Sequence, residues 1–175
     1  IDLKTGNKTV IAKDVRGNGN ISPDGKYSYW YNAEDSVWYT FNNSSQKTVK
    51  ASDKIPTSMA NELMDAPNLP GAYGIAGWTE DDKYLLVYDR YDIWQVDPEG
   101  TKDPANLTNG RSDRMQYRYL DLDREEQSIK YKSLLLSAFS EVTRNSGYYE
   151  LKPGKPLKKL VFDNYRYRRP TKAEK

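Results

Sequence analysis

Four stretches of this 175-residue chain combine residue types that could do chemistry. The densest is Asp89-Arg90-Tyr91-Asp92, where Arg90 could meet a substrate carboxylate or a neighbouring domain through bidentate hydrogen bonds. The same residues, set between two apolar runs, also suit a tight hairpin tied by an ion-pair network within one sheet, and that is the preferred reading. Asp121, Asp123, Glu125 and Glu126 offer oxygen ligands. A calcium loop opening at Asp121 needs Gly at its sixth position and Glu at its twelfth, where the chain has Glu126 and Lys132, so a solvated turn is expected. Tyr165-Arg166-Tyr167-Arg168-Arg169-Pro170 interleaves rings and guanidinium groups as single-strand nucleic-acid binders do. A strand or linker leading onward is preferred there, because no other basic stretch supports it. Trp30, Trp38, Trp78 and Trp94 could stack sugars, but their place in or beside apolar runs predicts core packing.

What is missing narrows the chemistry further. The chain has no His and no Cys, which removes the Ser-His-Asp triad, the Cys-His pair, disulfides and the common zinc and iron-sulfur ligand sets from these residues. No catalytic residue, cofactor or metal is therefore expected within the chain. A net charge of +2 gives no global field for nucleic acid, and no nucleic-acid partner is expected. No apolar run approaches the ~20 residues of a membrane-spanning helix, and Ile1-Asp2-Leu3-Lys4 does not read as a signal peptide.

The elements that must position these residues read as strands. With 15 Tyr, 4 Trp and 3 Phe, the chain carries much buriable surface despite 30% charged residues, and a Tyr-rich composition suits sheets whose rings are covered while their hydroxyls find partners. Short apolar runs bounded by Gly, Pro, Asn and Asp occur at Val10-Ile11, Tyr27 to Tyr31, Val37 to Phe41, Tyr84 to Tyr88, Ile93 to Val96, Leu134 to Phe139 and Tyr148 to Leu151.

Two of these stretches repeat. Ile21-Ser22-Pro23-Asp24-Gly25-Lys26-Tyr27 leads into Tyr29-Trp30-Tyr31 and then Val37-Trp38-Tyr39, while Trp78-Thr79-Glu80-Asp81-Asp82-Lys83-Tyr84 leads into Leu85 to Tyr88 and then Asp92 to Asp97. Pro23 pre-sets a turn angle and Gly25 accepts a positive φ, and in the second copy Asp82 stands at the Gly position with enough tolerance of that region to keep the turn. A weaker third copy starts near Tyr119-Leu120-Asp121-Leu122-Asp123 and ends at Gly147 to Leu151, with its pairing register open. Ile1 to Val10 resembles the outer hairpin of a preceding unit. Between the first two copies, Ser58 is placed to cap a short helix through Met59, Leu63 and Met64, stopped before Pro67. That insertion reads as a packing loop first and a functional one second.

The predicted fold is all-β: a partial β-propeller of about three four-stranded antiparallel blades. Its expected divisions are the end of a preceding blade over 1–14, blades over 15–72 with the insertion, 73–112 and 113–165, and a linker or the start of another blade over 166–175. A partial ring leaves two sheet faces uncovered, which predicts self-association or marginal stability.

The repeat resembles the blade motif of TolB-like and prolyl-oligopeptidase-type propellers, in which Ser-Pro-Asp-Gly-Lys precedes an inner strand. Tyr73-Gly74-Ile75-Ala76-Gly77-Trp78 with Leu86 to Trp94 is similar to the propeller of bacterial S9-type serine peptidases, and the resemblance spans about Ile1 to Tyr165. It implies a non-catalytic segment that gates substrate access for a C-terminal α/β-hydrolase domain of a parent chain, with peptides as substrate and a periplasmic or secreted location. The chain itself has neither a Gly-x-Ser-x-Gly turn nor a His. Under this reading Arg90, Tyr91 and Asp92 are the candidate substrate or interdomain contacts. The alternative is a stand-alone TolB-like propeller that binds protein partners with no enzyme attached.

Overall fold

The computed structural model describes residues 5–8, 10–13, 15, 18–123, 125–167 and 170–171. Its strands form three four-stranded antiparallel sheets, each a meander in chain order. The first contains β1 (Asn20–Ile21), β2 (Tyr27–Asn32), β3 (Val37–Asn42) and β4 (Thr48–Lys50). The second contains β5 (Ile75–Trp78), β6 (Leu85–Tyr88), β7 (Ile93–Val96) and β8 (Ala105–Asn106). The third contains β9 (Met115–Tyr119), β10 (Leu134–Ser140), β11 (Ser146–Leu151) and β12 (Lys158–Asp163). Three consecutive meanders packed face to face are the arrangement expected of successive propeller blades, so the all-β expectation holds.

The side-chain alternation of the strands assembles the core. On β2, Tyr27 and Tyr29 face the second sheet and meet Trp78, Leu85, Val87, Trp94 and Val96. The alternate residues of the second sheet, Leu86, Tyr88 and Ile93, face the third sheet and pack on Tyr117, Leu134, Leu136, Ala138 and Leu151. All four residues of β6 are therefore out of water, which explains why that run is continuously apolar rather than alternating. Trp78 is the hinge of the first interface: its ring stacks on Tyr27 at 5.4 Å and meets Tyr29 edge-on at 5.4 Å.

The two repeated corners have the same hydrogen bonds. The Tyr27 amide donates to the Ser22 hydroxyl at 2.9 Å, and the Tyr84 amide to the Thr79 hydroxyl at 3.0 Å. Ser22 and Thr79 amides each donate to the carbonyls of Tyr27 and Tyr84 at 2.9 Å. Gly25 has φ +73° and Asp82 φ +50°, as the turn chemistry predicts; Asp81 also turns left-handed, at +60°. That extra turn aims the Asp82 carboxylate back at the first corner, where it accepts the Ser22 hydroxyl at 2.5 Å and the Asp24 and Lys26 amides at 3.2 Å. One corner thus clamps the next.

Three local expectations fail. Ser58 to Met64 is not a helix: an isolated bridge between Ala60 and Ala72 holds the base of the loop, and the Ser58 hydroxyl accepts only the nearby Ala60 amide at 3.1 Å. Met59, 1% exposed, and Ile55 plug the first interface, a tertiary gain that overrides the weak helical pattern. The first strand of the third sheet is Met115–Tyr119, ahead of the predicted start at Tyr119, because Tyr117 and Met115 supply its inward face. Val10 and Ile11 lie in no strand and are exposed; of the proposed opening hairpin, residues 1–4 and 9 lie outside the described residues.

Trp78→Ala should cost about 3–5 kcal/mol by opening a cavity between two sheets, read as a fall in urea midpoint. Asp82→Ala should cost about 1–3 kcal/mol by leaving buried donors of the Ser22 corner unpaired, and differential amide exchange should localise the loss to Asp24 and Lys26.

Candidate functional site

Asp89-Arg90-Tyr91-Asp92 is the turn between β6 and β7, and its two carboxylates have separate structural duties. Asp89 is fully buried. Its Oδ1 accepts the amides of Tyr91 at 2.7 Å and Asp92 at 2.6 Å, while its Oδ2 accepts the Thr57 hydroxyl at 2.6 Å and the Trp94 indole N–H at 3.1 Å. Arg111 Nη2 stands 3.3 Å from the same oxygen. A buried carboxylate survives only when its lone pairs are matched in this way. Asp92 Oδ1 accepts the Thr108 hydroxyl at 2.7 Å and the Gly110 amide at 2.5 Å, which ties the hairpin to the crossover into the third sheet. Gly110 has to be glycine there: an added Cβ would lie 2.2 Å from the Met115 carbonyl oxygen.

Arg90 and Tyr91 point to the third sheet. The Arg90 guanidinium donates to both Glu141 oxygens at 2.9 to 3.2 Å, and the Tyr91 hydroxyl donates to Glu141 Oε2 at 2.8 Å. Gln116 Nε2 completes the set at 2.8 Å. The expected ion-pair network exists, but it joins two sheets rather than tying one hairpin, because Glu141 sits at the matching β10–β11 turn. Arg118 reaches from β9 beneath the hairpin. Its Nη2 donates to the Asp89 and Arg90 carbonyls at 3.1 and 3.0 Å, and its guanidinium lies 4.6 Å from the Tyr88 ring centre. Burial lowers its pKa from the usual arginine range.

On the outer side of Tyr91 the arrangement is looser. Arg90 and Arg111 each lie 5.1 Å from the Tyr91 ring centre, and Glu62 of the insertion sits between them, 4.0 Å from Arg90 Nη1 and 3.6 Å from Arg111 Nη1. Both separations exceed hydrogen-bond length. Arg111 Nε and Nη2 are out of water and form no hydrogen bond. The cluster combines Arg90, Arg111 and Arg118 with Asp89, Glu62 and Glu141, a set of groups that bind and orient rather than one built around imidazole or thiol chemistry.

The other candidates fall elsewhere. Tyr165, Arg166 and Tyr167 lie along the outer side of the third sheet, where Tyr167 packs on Tyr148 at 5.6 Å and the Ser146 hydroxyl donates to the Tyr165 carbonyl at 2.6 Å. With Arg144 they border a cavity of about 600 Å³; Arg168 and Arg169 lie outside the described residues. Asp121 accepts the Asp123 amide at 3.0 Å, Glu126 pairs with Lys130, and no group of metal-ligating side chains forms among the described residues. Trp38, Trp78 and Trp94 belong to the first interface, and Trp30 stacks on Tyr39 at 5.5 Å, so the tryptophans pack rather than form an open platform. No helix among the described residues is long and apolar enough to cross a membrane.

Glu62, Arg111, Gln116, Arg118 and Glu141 escape a reading of the sequence because they are brought in from the insertion, from the crossover after β8 and from the third sheet. The one usable signal is Glu141 directly after a strand, in the position of a hairpin turn equivalent to that of Arg90.

Burial alone would raise the Asp89 carboxyl, but hydrogen bonds from Thr57, the Asp92 amide, Trp94 and the Tyr91 amide outweigh it and hold the pKa below the usual carboxylate range. Glu141 is held low in the same way, burial being outweighed by Tyr91, Arg90 and Gln116. For a depressed folded pKa, the stabilisation is present above the unfolded value of about 4 and is lost as pH falls through the lower folded value. Urea midpoints should therefore decline on acidification below about pH 4, and Asp89→Asn should lower the midpoint at pH 7 and flatten that acid limb. Compared with known proteins, the sequence matches no family model and no curated protein, so the chemistry of this cluster has to be argued from its geometry.

Proposed function

We propose that this chain is a non-catalytic propeller segment of an S9-type serine peptidase, shaping peptide access to a hydrolase domain that performs the bond cleavage. The observation that carries the reading is the pair of equivalent corners at Ser22 and Thr79, set in the sequence signature from Tyr73 to Trp94. Stacked meanders give it physical support, since each uses one face to receive its neighbour. The absence of His and Cys supports a role without Ser-His-Asp triad or thiolate chemistry in these residues. In this reading the hairpin cluster around Tyr91 meets substrate or the hydrolase domain through Glu62 and Arg111, while Arg90 and Asp92 hold the scaffold. The outer side of the third sheet, lined by Tyr148, Arg144 and Tyr167, receives a following sheet. A periplasmic or secreted location goes with such a peptidase.

The reading frame beyond the Lys175 codon should encode a Gly-x-Ser-x-Gly turn followed by Asp and His. A fluorophosphonate probe should label that parent protein at the turn's Ser and leave this chain unlabelled. A frame without the turn, or covalent labelling of this chain, would overturn the reading.

A further inference from the structure

Both sheet interfaces use one device: a carboxylate of the later sheet takes donors of the earlier one. Asp82 and Glu99 of the second sheet accept the Ser22 and Tyr27 hydroxyls at 2.5 and 2.7 Å. Glu141, at the β10–β11 turn, accepts the Arg90 guanidinium and the Tyr91 hydroxyl at 2.8 to 3.2 Å. The outer side of the third sheet has the donors for such an interface and no carboxylate to take them. Its cavity of about 600 Å³ is lined by Arg118, Arg144 and Arg166 with Tyr148, Tyr165 and Tyr167, and by no Asp or Glu among the described residues. Arg118 donates to the main-chain carbonyls of Tyr117, Asp89 and Arg90. Arg144 and Arg166 are exposed and pair with no carboxylate among the described residues. A sheet laid over these guanidinium groups without an anion would bury unpaired charge, so whatever covers this face has to bring carboxylates.

The chain itself starts across that face. After β8, the Leu107 amide donates to the Ile93 carbonyl at 2.9 Å and the Ile93 amide to the Thr108 hydroxyl at 3.1 Å. The segment thus passes the first residue of β7 on its way to β9, which opens the third sheet. The segment leaving β12 passes the first residue of β11 in the same way: the Ser146 hydroxyl donates to the Tyr165 carbonyl at 2.6 Å, and Tyr167 lies on Tyr148 at 5.6 Å. Arg166 is carried onto the face between those two contacts.

We propose that this cation-lined face seats a following four-stranded sheet of the parent chain, and that an Asp or Glu in the turn between that sheet's second and third strands grips Arg144 as Glu141 grips Arg90. The 51 positions that separate Arg90 from Glu141 put this acid about 50 positions beyond Arg144. A carboxylate there supplies the paired acceptors that a guanidinium fork is shaped for, and it fixes the alignment of the next sheet as well as neutralising the face. The assignment rests on the reading that this face receives a following sheet, names the group that holds it there, and needs no hydrolase domain.

The test reads the parent frame and then labels arginines with phenylglyoxal, mapped by mass spectrometry with the exposed Arg114 as internal reference. Arg144 should react readily in the 175-residue chain and at least tenfold more slowly in the full parent protein. Replacing the turn acid of the next sheet by its amide in the parent should restore most of that reactivity. Arg90, held by Glu141, should stay protected throughout, which shows that the described sheets remain intact. A frame that ends without a further sheet, a following sheet with no Asp or Glu in that turn, equal Arg144 reactivity in parent and short chain, or protection that survives the acid-to-amide change would each overturn the assignment. A frame with the acid but no Gly-x-Ser-x-Gly turn would sink the peptidase reading alone, and one with the hydrolase turn but no acid would sink only this assignment.

Discussion

The central sheet has no face in water. Leu85 and Val87 are fully covered by the first sheet, and Leu86 and Ile93 by the third, so four short strands supply both halves of the core. At roughly 25 cal/mol per Å² of apolar surface removed from water, two-sided burial is the largest favourable contribution available to strands of four residues. Neither neighbouring sheet has that advantage in full. The order of the molecule, including where its hairpin turns point, follows from how the outer sheets close on this one.

Polar contacts then fix how the sheets are aligned. Apolar stacking is nondirectional, whereas a carboxylate with several donors tolerates little displacement. Asp82 ties the second corner to the first at one end of the strands, and Glu141 ties the third sheet to the β6–β7 turn at the other. Each clamp comes from the following sheet and grips donors of the preceding one. Glu99 does the same beside Asp82's end, accepting the Tyr27 hydroxyl at 2.7 Å and the Asn42 amide group at 2.6 Å. The result is a stack whose registers are set by ion and hydrogen-bond geometry on top of apolar burial.

The site inherits its form from that alignment. Asp89 and Asp92 are consumed in holding the turn and the crossover, and Arg90 in bridging sheets, so the densest charged motif is mostly structural. Glu62 on the insertion and Arg111 in the crossover, 3.6 Å apart, come from less regular segments. This is the usual division between a rigid scaffold and the loops it carries.

The amino-acid sequence by itself determined the two middle strands of each sheet, the corner at Ser22, the left-handed turn at Asp82 and the core role of the tryptophans, because turn chemistry and apolar patterning act over a few residues. It also removed imidazole and thiol chemistry from the chain outright. Only the tertiary structure decided that Glu141 and not a neighbour in the same hairpin meets Arg90, that Met59 sits in a core instead of a helix, and that Arg111 faces Glu62. Those pairings join residues about 50 positions apart in the chain, brought together by the stacking of whole sheets, and no local preference encodes a partner at that range.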